Sequence, residues 1–237
     1  MVTQQHGEFV YVGDARISDG RITLSADEQH HLLRVRRARN GDEVMATDGH
    51  GTVYRATVVD QFLEIRETLP EFCESALQLH VICGCLQGDS AREAVASAVQ
   101  LGARSLTWIR MRRSQESFSD SKLDKLRRVA VQSTKQAGRA RLIEQTLATT
   151  MQDAWSGEVA KLWVAHPSDN PTDHEPYVDR SSRHILIIGP EGGFDAHELG
   201  MLFDAGATPL PLGACRLRSE VALAAGLVHL RSRAGEL

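Results

Sequence analysis

Glycine and charge are packed together near the end of this chain. Glu191 sits inside Gly189-Pro190-Glu191-Gly192-Gly193, and Arg218 and Glu220 follow Leu212-Gly213 closely. Glycines let backbone N–H and C=O groups approach a ligand. Glu220 also reads structurally, as a first-turn carboxylate that suits the helix dipole with Arg218 as its partner. The loop is not the GxGxxG of dinucleotide sites, and Glu191 would repel a pyrophosphate where bare amides are needed. A P-loop lysine is absent as well, so an adenosine-type ligand that is not anionic at this point fits better. Glu191 itself reads as a loop organiser rather than a base. His197 reads as a surface residue. No HExxH, no zinc-type Cys/His spacing and no GxSxG elbow occurs, so no metal is expected.

The elements that hold these residues alternate between strand and helix. The apolar run His184–Ile188 reads as a buried strand stopped by Gly189-Pro190. Asp195 with Glu198 makes a capping box that opens a helix to Ala205. Thr208–Leu212 is a strand, and Ser219–Arg231 an Ala/Leu-rich last helix. Upstream, strands are expected over Leu79–Leu86, Ser105–Met111, Leu142–Thr146 and Lys161–Ala165. Helices are expected from Ser90 (with Glu93) to Leu101, over Ser121–Ala137 and at Thr150–Asp153. His166–Arg183 reads as a long polar loop. This rhythm predicts an α/β domain with a mostly parallel sheet. Residues 9–70 read differently, as a small β-rich module. Its one helix runs from the Ser25–Glu28 box through Arg39 to Asn40-Gly41, followed by a hairpin over Val44–Val59 and a strand Phe62–Leu69. Pro70–Ser75 is the expected linker, giving domains 1–72 and 73–237.

Charge separates the chain further. The 237 residues carry a net −4, yet residues 104–141 hold eleven Lys+Arg against three Asp+Glu. A basic block inside an acidic protein points to a polyanion such as nucleic acid. Arg34, Arg36, Arg37 and Arg39 form a second cluster, read equally as RNA contacts and as a solvated helix end. No apolar window is long enough to span a membrane, and Met1–Glu8 lacks a signal-peptide apolar region. Cys73, Cys83, Cys85 and Cys215 show no CxxC or disulfide spacing, and Cys83 and Cys85 read as reduced core thiols. These features predict a cytoplasmic protein.

Ile187–Glu198 (IIGPEGGFDAHE), with Leu212-Gly213 and Leu217-Arg218-Ser219-Glu220, resembles the RsmE family of SPOUT-superfamily RNA methyltransferases. His30–Val35 followed by Gly41–Val44 is similar to that family's N-terminal PUA-like β-barrel. Gly88-Asp89, Leu101-Gly102 and Gln136–Arg139 match further signposts in order. The resemblance implies a mostly parallel sheet with flanking helices and a C-terminal trefoil knot, an exception to the rule against threaded chains. It implies S-adenosylmethionine as cofactor, lined by Ala165, His166, Ile188, Gly189, Pro190, Glu191, Gly192, Gly193, Leu212, Gly213 and Leu217. It also implies methylation of N3 of a uridine in 16S ribosomal RNA, free or in the small ribosomal subunit, by a homodimer formed through the knotted domain. Arg218 and Glu220 become the catalytic candidates, and Arg34, Arg36, Arg113, Arg139 and Arg141 the RNA contacts.

The match departs at the second motif. Ala214, Cys215 and Arg216 stand for the family's Pro-Arg-Ile, Ser219 for Thr, and Val221 for the second Thr. A thiol cannot replace a bidentate cation. Gln87 and Ser97 stand where lysines are common, and Lys135 replaces an acidic residue. The departures fall on the substrate side, which leaves two alternatives: a related enzyme with another RNA target, or an RNA-binding module without catalysis.

Overall fold

Alternating apolar residues over 43–70 build the first sheet of the computed structural model, which describes residues 8–13, 15, 17–155, 160–167 and 178–237. The Met1–Gly7 stretch and most of the His166–Arg183 loop lie outside the described residues. The chain divides into two units, one of residues 1–74 and 131–142, the other of 75–130 and 143–237. The chain thus re-enters the first unit within one helix, α3 (Asp120–Ala137).

In the first unit, β4 (Glu43–Thr47), β5 (Thr52–Val59) and β6 (Phe62–Pro70) form the expected antiparallel meander. β1 (Glu8–Tyr11) joins β4 in parallel, and β3 (Arg21–Thr23) and β2 (Ile17–Ser18) extend the other edge, in the order β1-β4-β5-β6-β3-β2. Val10, Ile22, Leu32, Val44, Ala56, Val58 and Leu63 fill its core. Ser25 Oγ accepts from Glu28 N–H and starts α1 (Ala26–His30). The helix ends earlier than expected: a π turn over His31–Val35 follows, and Arg37 takes φ +60°. Glu28 does not complete its capping box, because its carboxylate pairs with the Lys135 ammonium at 2.9 Å.

The second unit is the expected parallel sheet, ordered β12-β10-β11-β7-β8-β9. Its strands are β7 (Gln78–Gly84), β8 (Ser105–Ile109), β9 (Glu144–Ala148), β10 (Ala160–Val164), β11 (Arg183–Ile188) and β12 (Thr208–Pro209). β11 is buried almost throughout, which explains its unbroken apolar run. One face packs Ile82, Ile109, Leu162, Ile185 and Ile187 with Met151 of α4 (Met151–Trp155) and Leu202 of α5 (Ala196–Asp204). α2 (Gly88–Gln100) and α6 (Ser219–Arg233) pack on each other, and Gly226 of α6 lies so close to Leu186 that a Cβ would come within 2.8 Å of it. α4 and α5 carry the expected boxes, Thr150 with Asp153 and Asp195 with Glu198. α2 differs: it starts at Gly88 with Gln87 as N-cap, so Ser90 lies inside it.

Candidate active site

β12, β10, β11 and β7 lie side by side and parallel, so their carboxyl ends form one edge, where α/β sheets bind ligands. The Ala165 N–H bonds to Ile187 O (3.0 Å) and the Leu210 N–H to Val164 O (2.8 Å), which carries Ala165-His166 and the segment before Leu212 to that edge. β11 ends there in Gly189. The Gly193 N–H closes a turn onto Pro190 O at 2.8 Å, before Asp195 caps α5.

The two motifs, separated in sequence, meet. Ser219 Oγ donates to Gly189 O at 2.8 Å, and the Arg216 guanidinium donates to Glu191 O at 3.0 Å. The Glu191 side chain turns the other way, its Oε1 accepting from Gln87 N–H at 2.8 Å. That fits a loop organiser. Its Oε2 is buried without a hydrogen-bond partner, and so is Oε2 of Glu220, whose residue is 4% exposed. Both carboxylates flank Cys83 at the end of β7. Burial chiefly pushes that thiol well up, and Cys85, Glu191 and Glu220 add to it. Arg218 occupies the N-cap position of α6 and is exposed, while Leu212 and Leu217 are half-buried around exposed Gly213 to Arg216.

A second contact links the glycine loop to the basic block. The Arg113 guanidinium donates to Gly192 O at 3.2 Å. A Cβ on Gly192 would lie 2.8 Å from Arg113 Cβ and 2.9 Å from its carbonyl oxygen, so only glycine permits this approach. The Arg112 N–H donates to Glu198 Oε1 (2.7 Å), and its guanidinium pairs with Asp195 Oδ2 (3.2 Å). Sequence spacing identified Asp195 and Glu198 as a cap, but not that the same box also receives Arg112. Gln87 and Ser219 were missed as supports, since neither type signals a contact that far along the chain.

The RNA candidates separate by burial. Arg34 and Arg36 are exposed on the first unit, and Arg113 is exposed on the second. Arg139 is only 2% exposed, with its guanidinium bidentate on the Glu74 carboxylate (3.2 and 2.7 Å). It is therefore spent inside the first unit and does not present itself to a phosphate, a correction to the sequence reading. Arg141 pairs with Glu71. Cys83 and Cys85 are buried free thiols, as expected. Among the described residues, no helix is long and apolar enough to cross a membrane, and no three His, Cys, Asp or Glu cluster as metal ligands.

Two sequence models match: an RNA methyltransferase domain over residues 73–230 and an RNA methyltransferase PUA domain over residues 24–65. The Ribosomal RNA small subunit methyltransferase E of a Synechocystis species is 25% identical over 231 residues, covering 93% of this chain and 76% of that one. The protein of the same name from Mycobacterium bovis is 28% identical over 222 residues, covering 86% and 83%. Among solved structures, a Legionella pneumophila protein with bound SAM superposes with TM-score 0.82 at 24% identity, covering 95% and 97%. The Neisseria gonorrhoeae Ribosomal RNA small subunit methyltransferase E, bound to S-adenosyl methionine, gives 0.81 at 22% identity, covering 96% and 98%. These two likenesses establish the fold.

Proposed function

The chain belongs to the RNA methyltransferase family whose domain model spans residues 73–230, and on that footing we propose that it is an S-adenosylmethionine-dependent methyltransferase acting on N3 of a uridine in 16S ribosomal RNA. The observation that carries the reading is the junction of the two motif loops, Ser219 Oγ on Gly189 O, at the carboxyl edge of the sheet. The names of the relatives from Synechocystis and Mycobacterium, and the cofactor held by the two solved relatives, support it.

The residues present fit the cofactor. Gly193 (φ +71°) and Gly213 (φ +104°) have nothing within 4 Å of where a Cβ would stand, so both loops leave open space along their backbones. Leu212 and Leu217 would clamp the adenine, and the backbone of Ile188–Gly193 with Ala165-His166 would line the rest. When bound, the cofactor supplies an electrophilic methyl group. The protein's own work is positioning, and positioning supplies much of the rate of such a transfer. The N3–H proton of the uracil must leave. Glu220 has a buried oxygen with no hydrogen-bond partner and is the acceptor, while Arg218 steadies the negative charge that builds on the base.

Residues 1–72 serve as the RNA-binding PUA-like domain and 73–237 as the methyltransferase domain, whose C-terminal loops form the trefoil knot. Arg34, Arg36 and Arg113 hold backbone phosphates. The protein works as a cytoplasmic homodimer through the second domain. Exposed Val221 and Val228 leave α6 an apolar outer face suited to a second copy. A second reading, another RNA target, draws on Cys215, which is exposed and offers no cation on the substrate side. Mass spectrometry of ribosomal nucleosides from a gene deletion tests both. Loss of 3-methyluridine is expected, and loss of a different methylated nucleoside would move the target. An unchanged nucleoside profile, with RNA binding but no cofactor uptake in calorimetry, would leave an RNA-binding module.

A further inference from the structure

At the amino ends of β7, β8 and β11, opposite the cofactor loops, the apolar face of the second unit's sheet turns polar. His80 of β7 pairs in register with Ser105 of β8 and with Ile185 of β11, and Arg183 pairs with Gln78. Residues in register on parallel strands share a face, and side chains two apart along a strand share it too. His80, Ser105 and Arg183 therefore stand together where Ile82, Ile109 and Ile187 continue the same face as buried core. All three are half-exposed, as is Arg104, whose N–H bonds to Leu79 O at 2.7 Å. His80 Nδ1 and Ser105 Oγ are 2.7 Å apart.

The two arginines of this group are not neutralised by a partner. Arg104 and Arg183 form no ion pair among the described residues, and Arg183 Nε is buried with no hydrogen-bond partner. The acid nearest by register is Glu144 of β9, across from Ser105 on the same face; it gives its backbone N–H to Arg104 O, and its exposed carboxylate makes no ion pair among the described residues. Burial, then Arg183, then Arg104 hold the His80 imidazole down at about 4. The Arg183 guanidinium with its five donors, one hydroxyl and one imidazole, half-open to solvent and with the Arg104 charge near enough to act on His80, match the oxygens of a phosphate.

We propose that His80, Ser105 and Arg183 form a phosphate-binding site, with Arg104 adding positive charge beside it, and that its occupant is a backbone phosphate of RNA. The site stands on its own geometry. RNA as the source of the phosphate rests on the methyltransferase reading above and on Arg104 being the first residue of the basic block. A free phosphate compound would meet the same donors, so the test separates the two.

The measurement is NMR of the full chain labelled at histidine, with His80 assigned from a His80→Gln spectrum, in phosphate-free buffer at fixed, mildly acidic pH. Inorganic phosphate is titrated first, then a short oligouridylate without terminal phosphates. Both are expected to move the His80 ring signals saturably toward the imidazolium position, since a neighbouring anion favours the charged ring. Arg183→Gln should weaken both by about tenfold or more, the worth of a charge-assisted contact, while cofactor affinity at the glycine loop stays as in the unaltered chain. A shift with phosphate but none with oligouridylate would overturn the RNA assignment, and no shift with either would overturn the site. Loss of the cofactor reading alone would show in calorimetry and leave the phosphate titration unchanged.

Discussion

Arg218 and Arg139 carry the same charge in opposite circumstances. Arg139 is 2% exposed and locked to Glu74, whereas Arg218 stands exposed at the head of α6, two residues before the buried carboxylate of Glu220. A cation aimed where negative charge develops acts mainly in the transition state. Arg218→Ala is therefore expected to lower turnover about 100-fold while cofactor affinity in calorimetry changes less than about twofold. Near-normal turnover would strike Arg218 from the proposed catalytic pair. Sequence could mark both arginines as candidates, Arg139 because counting charge in residues 104–141 shows a field and Arg218 because it belongs to the second motif. It could not tell which cations are already neutralised. Arg139's partner lies 65 positions away, and that pairing is a property of the fold, not of the block. The motif glycines and Glu191 were legible because their spacing alone implies a turn and a helix start.

Elements were legible where a local rule decides them. The boxes Thr150–Asp153 and Asp195–Glu198 form because each needs only residues three apart, and the apolar run of β11 is buried as its pattern implies. Where a distant partner competes, the local rule fails. Glu28 leaves its box for Lys135. Local signals also misplaced two boundaries: α1 gives way to a π turn at His31, and α2 starts ahead of Ser90. The glycine loop shows the same principle at the site. Its spacing suggested ligand approach, yet Gly192 is also required because Arg113 of the β8–α3 connection packs directly on it. A Cβ at 2.8 Å meets backbone-anchored atoms that cannot swing aside. Gly192→Ala should thus force the Arg110–Ser114 segment away from the loop and break the Arg113–Gly192 bond. The expected readings are a stability loss of about 1–3 kcal/mol by denaturant unfolding, as for overpacking, and cofactor affinity at least about tenfold weaker. If both values match those of the unaltered chain, the loop is not held by this contact.

At the scale of the whole second unit, the class of fold was legible from strand–helix alternation, but the strand order and the closure of the chain were not. β7 starts the unit, and Glu236 near the C-terminus closes onto it: Ser75 Oγ–H and Leu77 N–H donate to its carboxylate at 2.6 and 2.9 Å across some 160 residues. Arg231 of α6 adds a third bond at 3.0 Å. Arg180 completes the closure by donating to Ala234 O and Gly235 O. No composition or periodicity marks a lone glutamate as such a latch. Burial alone would raise the Glu236 carboxyl, but the Ser75 hydroxyl, the Leu77 amide and Arg231 outweigh it and hold the group below the ordinary range. A carboxyl depressed by folding contributes stability that is complete above its unfolded value, about 4.3, and is lost as pH falls through the lower folded value. Glu236→Gln should therefore melt at a lower temperature than the unaltered chain at neutral pH. The difference should be about 2 kcal/mol, the worth of hydrogen bonds to a charged group. The gap should narrow below about pH 4 as the native carboxylate takes up its proton. Thermal unfolding followed by circular dichroism over that range measures both curves. A gap that stays constant into acid would mean that the latch holds through shape and not through charge, and that α6 is fixed at its far end by Arg180 and the packed core alone.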